Sequence, residues 1–175
     1  MRARVVYESM FGNTAAIAEA IAQGLGEHAA VEVLDVAAAA EVPAPVLDLL
    51  VVGGPTHAFG LSRTRTRLDA ANRTDTPVVV DIGIREWLDA AFPVAPGSRA
   101  AAFGTRTAKP SWLPGSAARG VGKRLRRLGY ELVEDPMDFL VDGILGPITK
   151  GELERAHAWA ERLARTETDR IARRA

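Results

Sequence analysis

Ten residues near the start of the chain constrain it more than any others. Val5-Val6-Tyr7 is a run of β-formers; it gives way to Glu8-Ser9-Met10-Phe11-Gly12-Asn13-Thr14, and a helical pattern begins at once over Ala15–Leu25. A strand that ends in a short Ser/Gly/Asn/Thr loop and turns straight into a helix builds an anion site. Backbone N–H groups and hydroxyls converge there on the positive end of a helix dipole. The loop has no lysine, so it suits a phosphate held by hydrogen bonds rather than a triphosphate with magnesium. One phosphomonoester is the expected guest.

The rest of the chain alternates strand and helix signals. Arg2–Glu8 reads as a buried parallel strand. The following helix carries Ile17, Ile21 and Leu25 at four-residue spacing, with Gly24 and Gly26 placed to cap its end. Val31–Val36 and Leu47–Gly53 read as further strands, with a loop or weak helical turn over Ala37–Pro45 between them. Leu61–Asn72 is an arginine-rich helix, Thr76–Ile82 is extended, and Arg85–Phe92 is a helix. Arg99–Phe103 is a strand and Gly104–Pro114 a long loop. Ser116 caps a helix lined by Ala117, Val121, Leu125 and Leu128 and ended by Gly129. Glu131–Val141 is a last strand broken near Pro136. Leu153, Ala156, Trp159, Ala160 and Leu163 make one apolar stripe of a final helix, after which the charged tail from Thr166 is expected to fray. Trp87 and Trp159 fall on apolar faces and read as core.

This alternation predicts a doubly wound α/β domain over residues 1–166, with residues 167–175 as a charged C-terminal tail. Ligands in such sheets lie beyond the carboxyl ends of the strands. Three strands end in loops unlike ordinary turns, Ser9–Thr14, Pro55–Gly60 and Thr105–Gly115, and all three belong on that rim.

Composition narrows the classes. The chain has 175 residues, 47% hydrophobic and 25% charged, and no cysteine. A disulfide framework, thiolate zinc sites and a cysteine nucleophile are thereby excluded. No charged leader or long uncharged apolar run is seen, so a cytoplasmic protein without membrane contact is the expectation. Net charge is zero, yet unevenly spread: residues 1–62 hold 2 Lys/Arg and 7 Asp/Glu, residues 63–130 hold 13 and 5, and residues 131–175 hold 7 and 10. The basic middle lacks any nucleic-acid-binding motif, and no nucleic-acid partner is expected. The dinucleotide pattern G-x-G-x-x-G and the phosphate loop G-x-x-x-x-G-K-[ST] are both missing after the first strand. No group of histidines and carboxylates shows metal-ligand spacing along the sequence.

Val5–Ile21 resembles the flavodoxin signature: two aliphatics, Tyr7, Ser9, Gly12, Thr14, Ala18 and Ile21 stand at the family's spacing. Pro55-Thr56-His57 and Gly104-Thr105-Arg106 stand where flavodoxin-like proteins place their two flavin-ring loops. The resemblance covers nearly the whole chain. It implies a flavodoxin-like doubly wound five-stranded parallel sheet, order 2-1-3-4-5, with helices on both faces, and bound FMN. On that reading Ser9, Phe11, Gly12, Asn13 and Thr14 hold the phosphate through side chains and backbone N–H groups, Gly12 allowing close approach. Pro55, Thr56, His57, Ala58, Phe59 and Gly60 meet the ring edge, with His57 or Phe59 available to cover a face. Gly104, Thr105, Arg106 and Thr107 face the pyrimidine end, where the Arg106 cation would raise the reduction potential. Trp112 either stacks on the ring or pins its own loop.

Three functions follow as expectations. The first is an FMN-binding carrier that moves electrons between a reductase and an acceptor protein. The second is an FMN-dependent NAD(P)H:quinone-type oxidoreductase, to which the Ser9-Met10-Phe11-Gly12 variant of the loop is similar. The third is a module of the same fold that binds partners without flavin. The carrier's usual acidity, which steers it to basic reductases, is absent here.

Overall fold

A computed structural model describes residues 1–43, 46–58, 60–108 and 115–174. Six strands, β1 (Arg2–Tyr7), β2 (Ala30–Asp35), β3 (Leu49–Pro55), β4 (Arg99–Thr107), β5 (Glu131–Leu132) and β6 (Met137–Val141), form one parallel sheet. The order is β2-β1-β3-β4-β5, the expected winding. The break near Pro136 splits the fifth position in two: β5 pairs with Arg99–Ala100, and β6 pairs further along β4 with Phe103–Thr107.

Central strands buried on both sides are apolar throughout, as Val5, Val6, Val51 and Val52 illustrate with zero exposure. Two cores result. One packs α1 (Asn13–Gly26) and α6 (Glu152–Ala172) against the sheet around Ile17, Ile21, Phe103, Phe139 and Trp159. The other lies on the opposite face, where α2 (Val36–Glu41), α4 (Ile84–Asp89) and α5 (Ala117–Arg127) cover Val6, Val52 and Ala102. The remaining helix, α3 (Thr64–Ala71), follows the second rim loop.

Several segments differ from expectation for identifiable reasons. The alanine run after β2 is helical because Asp35 caps it, its Oδ1 accepting the Ala38 N–H at 2.8 Å. Residues 76–82 are not a strand. Pro77 lacks a donor, and the edge of β4 is already taken by β5 and β6. β4 itself runs on through Gly104–Thr107, four residues expected in a loop, because β6 supplies ladder partners there. The charged tail is helical to Ala172 rather than frayed: Glu167 is fully buried and binds Arg99 at 3.0 Å and Arg170 at 2.6 Å.

Gly24 is not a cap. It lies inside α1 and lets α6 approach so closely that a Cβ there would sit 2.4 Å from the His157 carbonyl oxygen. Backbone cannot yield as a side-chain tip can. Gly24→Ala is therefore expected to cost about 2–3 kcal/mol and lower the melting midpoint by roughly 4–10 °C in thermal denaturation.

Candidate functional site

The carboxyl ends of β1, β3, β4 and β6 open into one cleft of ≈ 280 Å³. Its floor and walls come from the three rim segments: Met10, Phe11, Asn13 and Thr14 after β1, Pro55–Ala58 at the end of β3, and Thr105–Thr107 of β4. Strand order reverses between β1 and β3, so the cleft opens at the switch point of the sheet.

The first wall leaves a helix end unpartnered. Gly12 has φ +84°, a left-handed turn that glycine adopts without strain. No side chain caps α1, and its first helical bond runs from Ala16 N–H to the Gly12 carbonyl. The N–H groups ahead of that bond therefore have no helical partner. No acidic residue stands in the first turn. Ser9 Oγ accepts the Gly12 N–H at 3.1 Å and holds the turn in shape.

Thr14 and Thr105 lie deeper. Both are buried, and their hydroxyls share a 2.7 Å hydrogen bond that ties the first loop to β4. Thr56 is tied to the same strand through its N–H to the Thr105 carbonyl at 2.8 Å, and its hydroxyl accepts the Ala117 N–H at 3.0 Å. The second loop is a tight reversal: His57 and Gly60 exchange backbone bonds of 2.8 and 2.9 Å, and Ala58 takes φ +43°. A non-glycine residue in that region of conformational space marks a turn held by its surroundings.

His57 lines the cleft, and burial, with the nearby Arg67 charge, lowers its pKa below 6.5. The folded protein therefore favours neutral imidazole, and the unfolded chain binds the extra proton. Stability falls as pH drops below 6.5 toward the lower folded value. Denaturant midpoints at pH 7.5 and 5.5 are expected to differ less in His57→Gln than in the parent protein.

Arg106 also lines the cleft, but its charge is not free: Nε lies 3.2 Å from Asp138 Oδ2. The register of β4 and β6 pairs Gly104 with Asp138 and so brings this acid beside the arginine. Asp138 accepts from Ser116 Oγ at 3.0 Å, and its burial pushes its pKa up against the pull of Ser116 and Arg106. Ser9, Gly12, Gly60 and Gly104 support the walls rather than line them. At Gly104 a Cβ would meet the Ala118 nitrogen at 2.8 Å, so this glycine serves strand–helix contact. Phe59 and Trp112 lie outside the described residues.

Sequence reading missed the far walls. Thr66, Asp69, Ala70 and Arg73 of α3 and the residues just after it face the cleft, as do Val141, Gly143 and Ile144 after β6. The i, i+3, i+4, i+7 spacing of the first four was a visible helical stripe, hidden by its mixed polarity. Arg67 and Glu8 were missed as well. Arg67 is fully buried and Glu8 nearly so. Arg67 Nη1 donates to Ser62 Oγ at 2.9 Å and Ser62 donates to Glu8, while Glu8 Oε2 accepts the Ile84 N–H at 2.9 Å. Arg67 also reaches Glu86 at 3.1 Å and the Val80 carbonyl at 2.8 Å. This network fixes the chain just past the second rim loop.

The fold also gathers Glu27, just past α1, with His157 and Glu161 of α6, their ligand atoms within 4.8 Å, a grouping invisible along the sequence. His157 and Glu161 form an ordinary surface pair at 3.7 Å, with Arg165 at 3.8 Å on the same carboxylate. Among the described residues, no helix is long and apolar enough to cross a membrane.

The sequence model of the family described as Flavodoxin matches residues 5–159. The chain belongs to the flavodoxin family. No curated protein matches the sequence. Among solved structures, the chain is similar to a flavodoxin from the domain Archaea at 23% identity and TM-score 0.66, over 96% of this chain and 99% of that one. Oxidised flavodoxin 2 from Bacillus cereus matches at 19% identity and TM-score 0.64, over 94% and 99%. A flavodoxin described as a WrbA-like protein, from Agrobacterium tumefaciens, matches at 19% identity and TM-score 0.54, over 96% and 98%. These likenesses concern the flavodoxin-like fold.

Proposed function

We propose that this flavodoxin-family protein binds FMN in the cleft and carries electrons between a reductase and an acceptor protein. The observation that carries the reading is the uncapped N-terminus of α1 behind the left-handed Gly12, with no acid in its first turn. Such a site suits a terminal phosphate dianion. Asn13 and the N–H groups of the first turn would hold it. Pro55–Ala58 and Thr105–Thr107 offer backbone and hydroxyl groups to the ring, beside apolar Met10 and Ile144. The flavin supplies the redox chemistry when bound; the protein orients it and sets its access to water. The Arg106–Asp138 pair offsets the cation that would otherwise raise the potential.

A second reading, direct reduction by NAD(P)H, is favoured by Asp69 and Arg73 on the α3 side of the cleft. They add an acceptor and a cation beyond those the phosphate loop uses. Anaerobic mixing of the FMN-loaded protein with NADPH separates the two. The carrier keeps its oxidised spectrum until a reductase or dithionite is added, whereas rapid bleaching by NADPH alone favours the enzyme.

A further inference from the structure

One face outside the cleft carries charge of a single sign. α5, Ala117–Arg127, contains no acidic residue, and its exposed positions are all cations: Arg119, Lys123, Arg126 and Arg127. Its other side, Ala117, Ala118, Val121 and Leu125, is buried on the sheet, so these charges have one direction to face. Two more arginines stand beside its start. Arg85 spends its donors on the Leu61 and Ser62 carbonyls at 2.8 and 3.1 Å, and no carboxylate pairs with it or with Arg63 among the described residues. Leu61 in turn packs on Gly120 in the first turn of α5. The arginines repel one another, for Arg63 and Arg124 both lower the Arg85 pKa after burial. The acids that act on these arginines are already committed: Glu86 to Arg67 at 3.1 Å, Asp89 to Arg124 at 2.8 Å, and Asp138, which acts on Arg119, to Arg106 at 3.2 Å.

This concentration is costly where it begins. Arg63 is the N-cap residue of α3, and Arg119 sits in the first turn of α5, both at positive dipole ends where a cation is unfavourable. In a chain of zero net charge such a face is not a by-product of overall basicity. It also adjoins the cleft. The Ala117 N–H at the head of α5 binds Thr56, a cleft residue, at 3.0 Å.

We propose that the cationic face of α5, with Arg63 and Arg85 at its head, docks an acidic redox protein beside the cleft. The proposal rests on the redox reading given above and adds the sign of the partner. The partner is a protein with a carboxylate-rich surface around its redox centre. Opposite charges steer the encounter and orient it, and the attraction weakens as salt screens it. A nucleic acid is the less fitting polyanion, because α5 presents no aromatic or amide side chain to stack on bases or read them.

The test uses the full chain loaded with FMN and two haem proteins of opposite charge: cytochrome b5 as the acidic probe and cytochrome c as the basic one. Binding is followed by titration calorimetry, and electron transfer from the dithionite-reduced protein by stopped flow. The parent protein is expected to bind and reduce the acidic cytochrome faster, with the rate falling about tenfold or more between 20 and 200 mM salt. The variant R119E/K123E/R126Q is expected to lose that preference and that salt dependence. Arg119→Glu puts an acid at a favourable dipole position, and circular dichroism checks that the variant is folded. A preference for cytochrome c, or an unchanged preference in the folded variant, overturns the proposal. So does tighter binding of a fluorescent DNA oligonucleotide than of cytochrome b5. Failure to take up FMN at all overturns the redox reading instead, which the flavin spectrum reveals before either cytochrome is added.

Discussion

Asn13→Asp is expected to leave the fold intact and to lower FMN affinity by roughly a hundredfold. Asn13 is the first residue of α1, at the uncapped end behind Gly12. An aspartate there faces two opposite demands. Toward its own helix it is favourable by about 0.3–1 kcal/mol, since an acid complements the dipole. Toward a phosphate dianion it is repulsive by about 2–4 kcal/mol at the effective dielectric of a protein surface. The second term exceeds the first and acts only when the ligand is bound. The melting midpoint of the apoprotein is therefore expected to hold or rise while the FMN dissociation constant increases. Paired thermal melts and fluorescence titrations measure both. An aspartate variant that binds FMN as tightly as the parent would mean that the phosphate does not sit at this helix end.

The second large effect concerns stability and its dependence on pH. Arg67→Met is expected to cost about 3–5 kcal/mol near pH 7, a large share of the total of an ordinary domain. The substitution removes a fully buried cation and leaves the Glu8 carboxylate buried with Ser62 and the Ile84 N–H as its recorded partners. Burial already raises the Glu8 pKa, and the two hydrogen bonds and Arg67 hold it down. Losing the arginine raises it further. A raised carboxyl pKa makes the folded state bind the proton more tightly than the unfolded chain does. The penalty of the substitution is then greatest at neutral pH and shrinks as pH falls toward the folded Glu8 value. Urea denaturation at pH 7.5 and 5.0 is expected to show that narrowing. Glu8→Gln combined with Arg67→Met is expected to recover part of the loss at pH 7.5, because no buried charge is left without a counter-ion. An equal penalty at both pH values would show that the cost is packing alone.

The features legible in the sequence were those set by local chemistry. Val5–Thr14 carried the strand, the turn and the helix start in one stretch, and Ser116, Gly129 and Pro136 marked a cap, a stop and a break that the structure contains. The strand order came with the resemblance. What escaped reading depended on tertiary partners. Arg67 reads as a surface arginine until the fold supplies Ser62, Glu86 and the Val80 carbonyl. Gly24 reads as a cap until α6 is laid across it. Arg106 reads as a free cation until β6 brings Asp138 alongside, and the helical tail is held by a buried Glu167 whose partner Arg99 lies on β4. The cleft shows the same division. Its near wall is a contiguous motif, whereas Arg73 and Ile144 reach it from segments far apart in the chain.

On the proposed function, the cleft holds FMN by its phosphate. Titration of the apoprotein with FMN and with riboflavin, followed by quenching of flavin fluorescence, tests it most directly. One FMN per chain is expected, with an affinity for riboflavin lower by at least about a hundredfold, because only FMN carries the group that the α1 terminus would receive. Equal affinity for the two flavins, or no quenching by either, would contradict it.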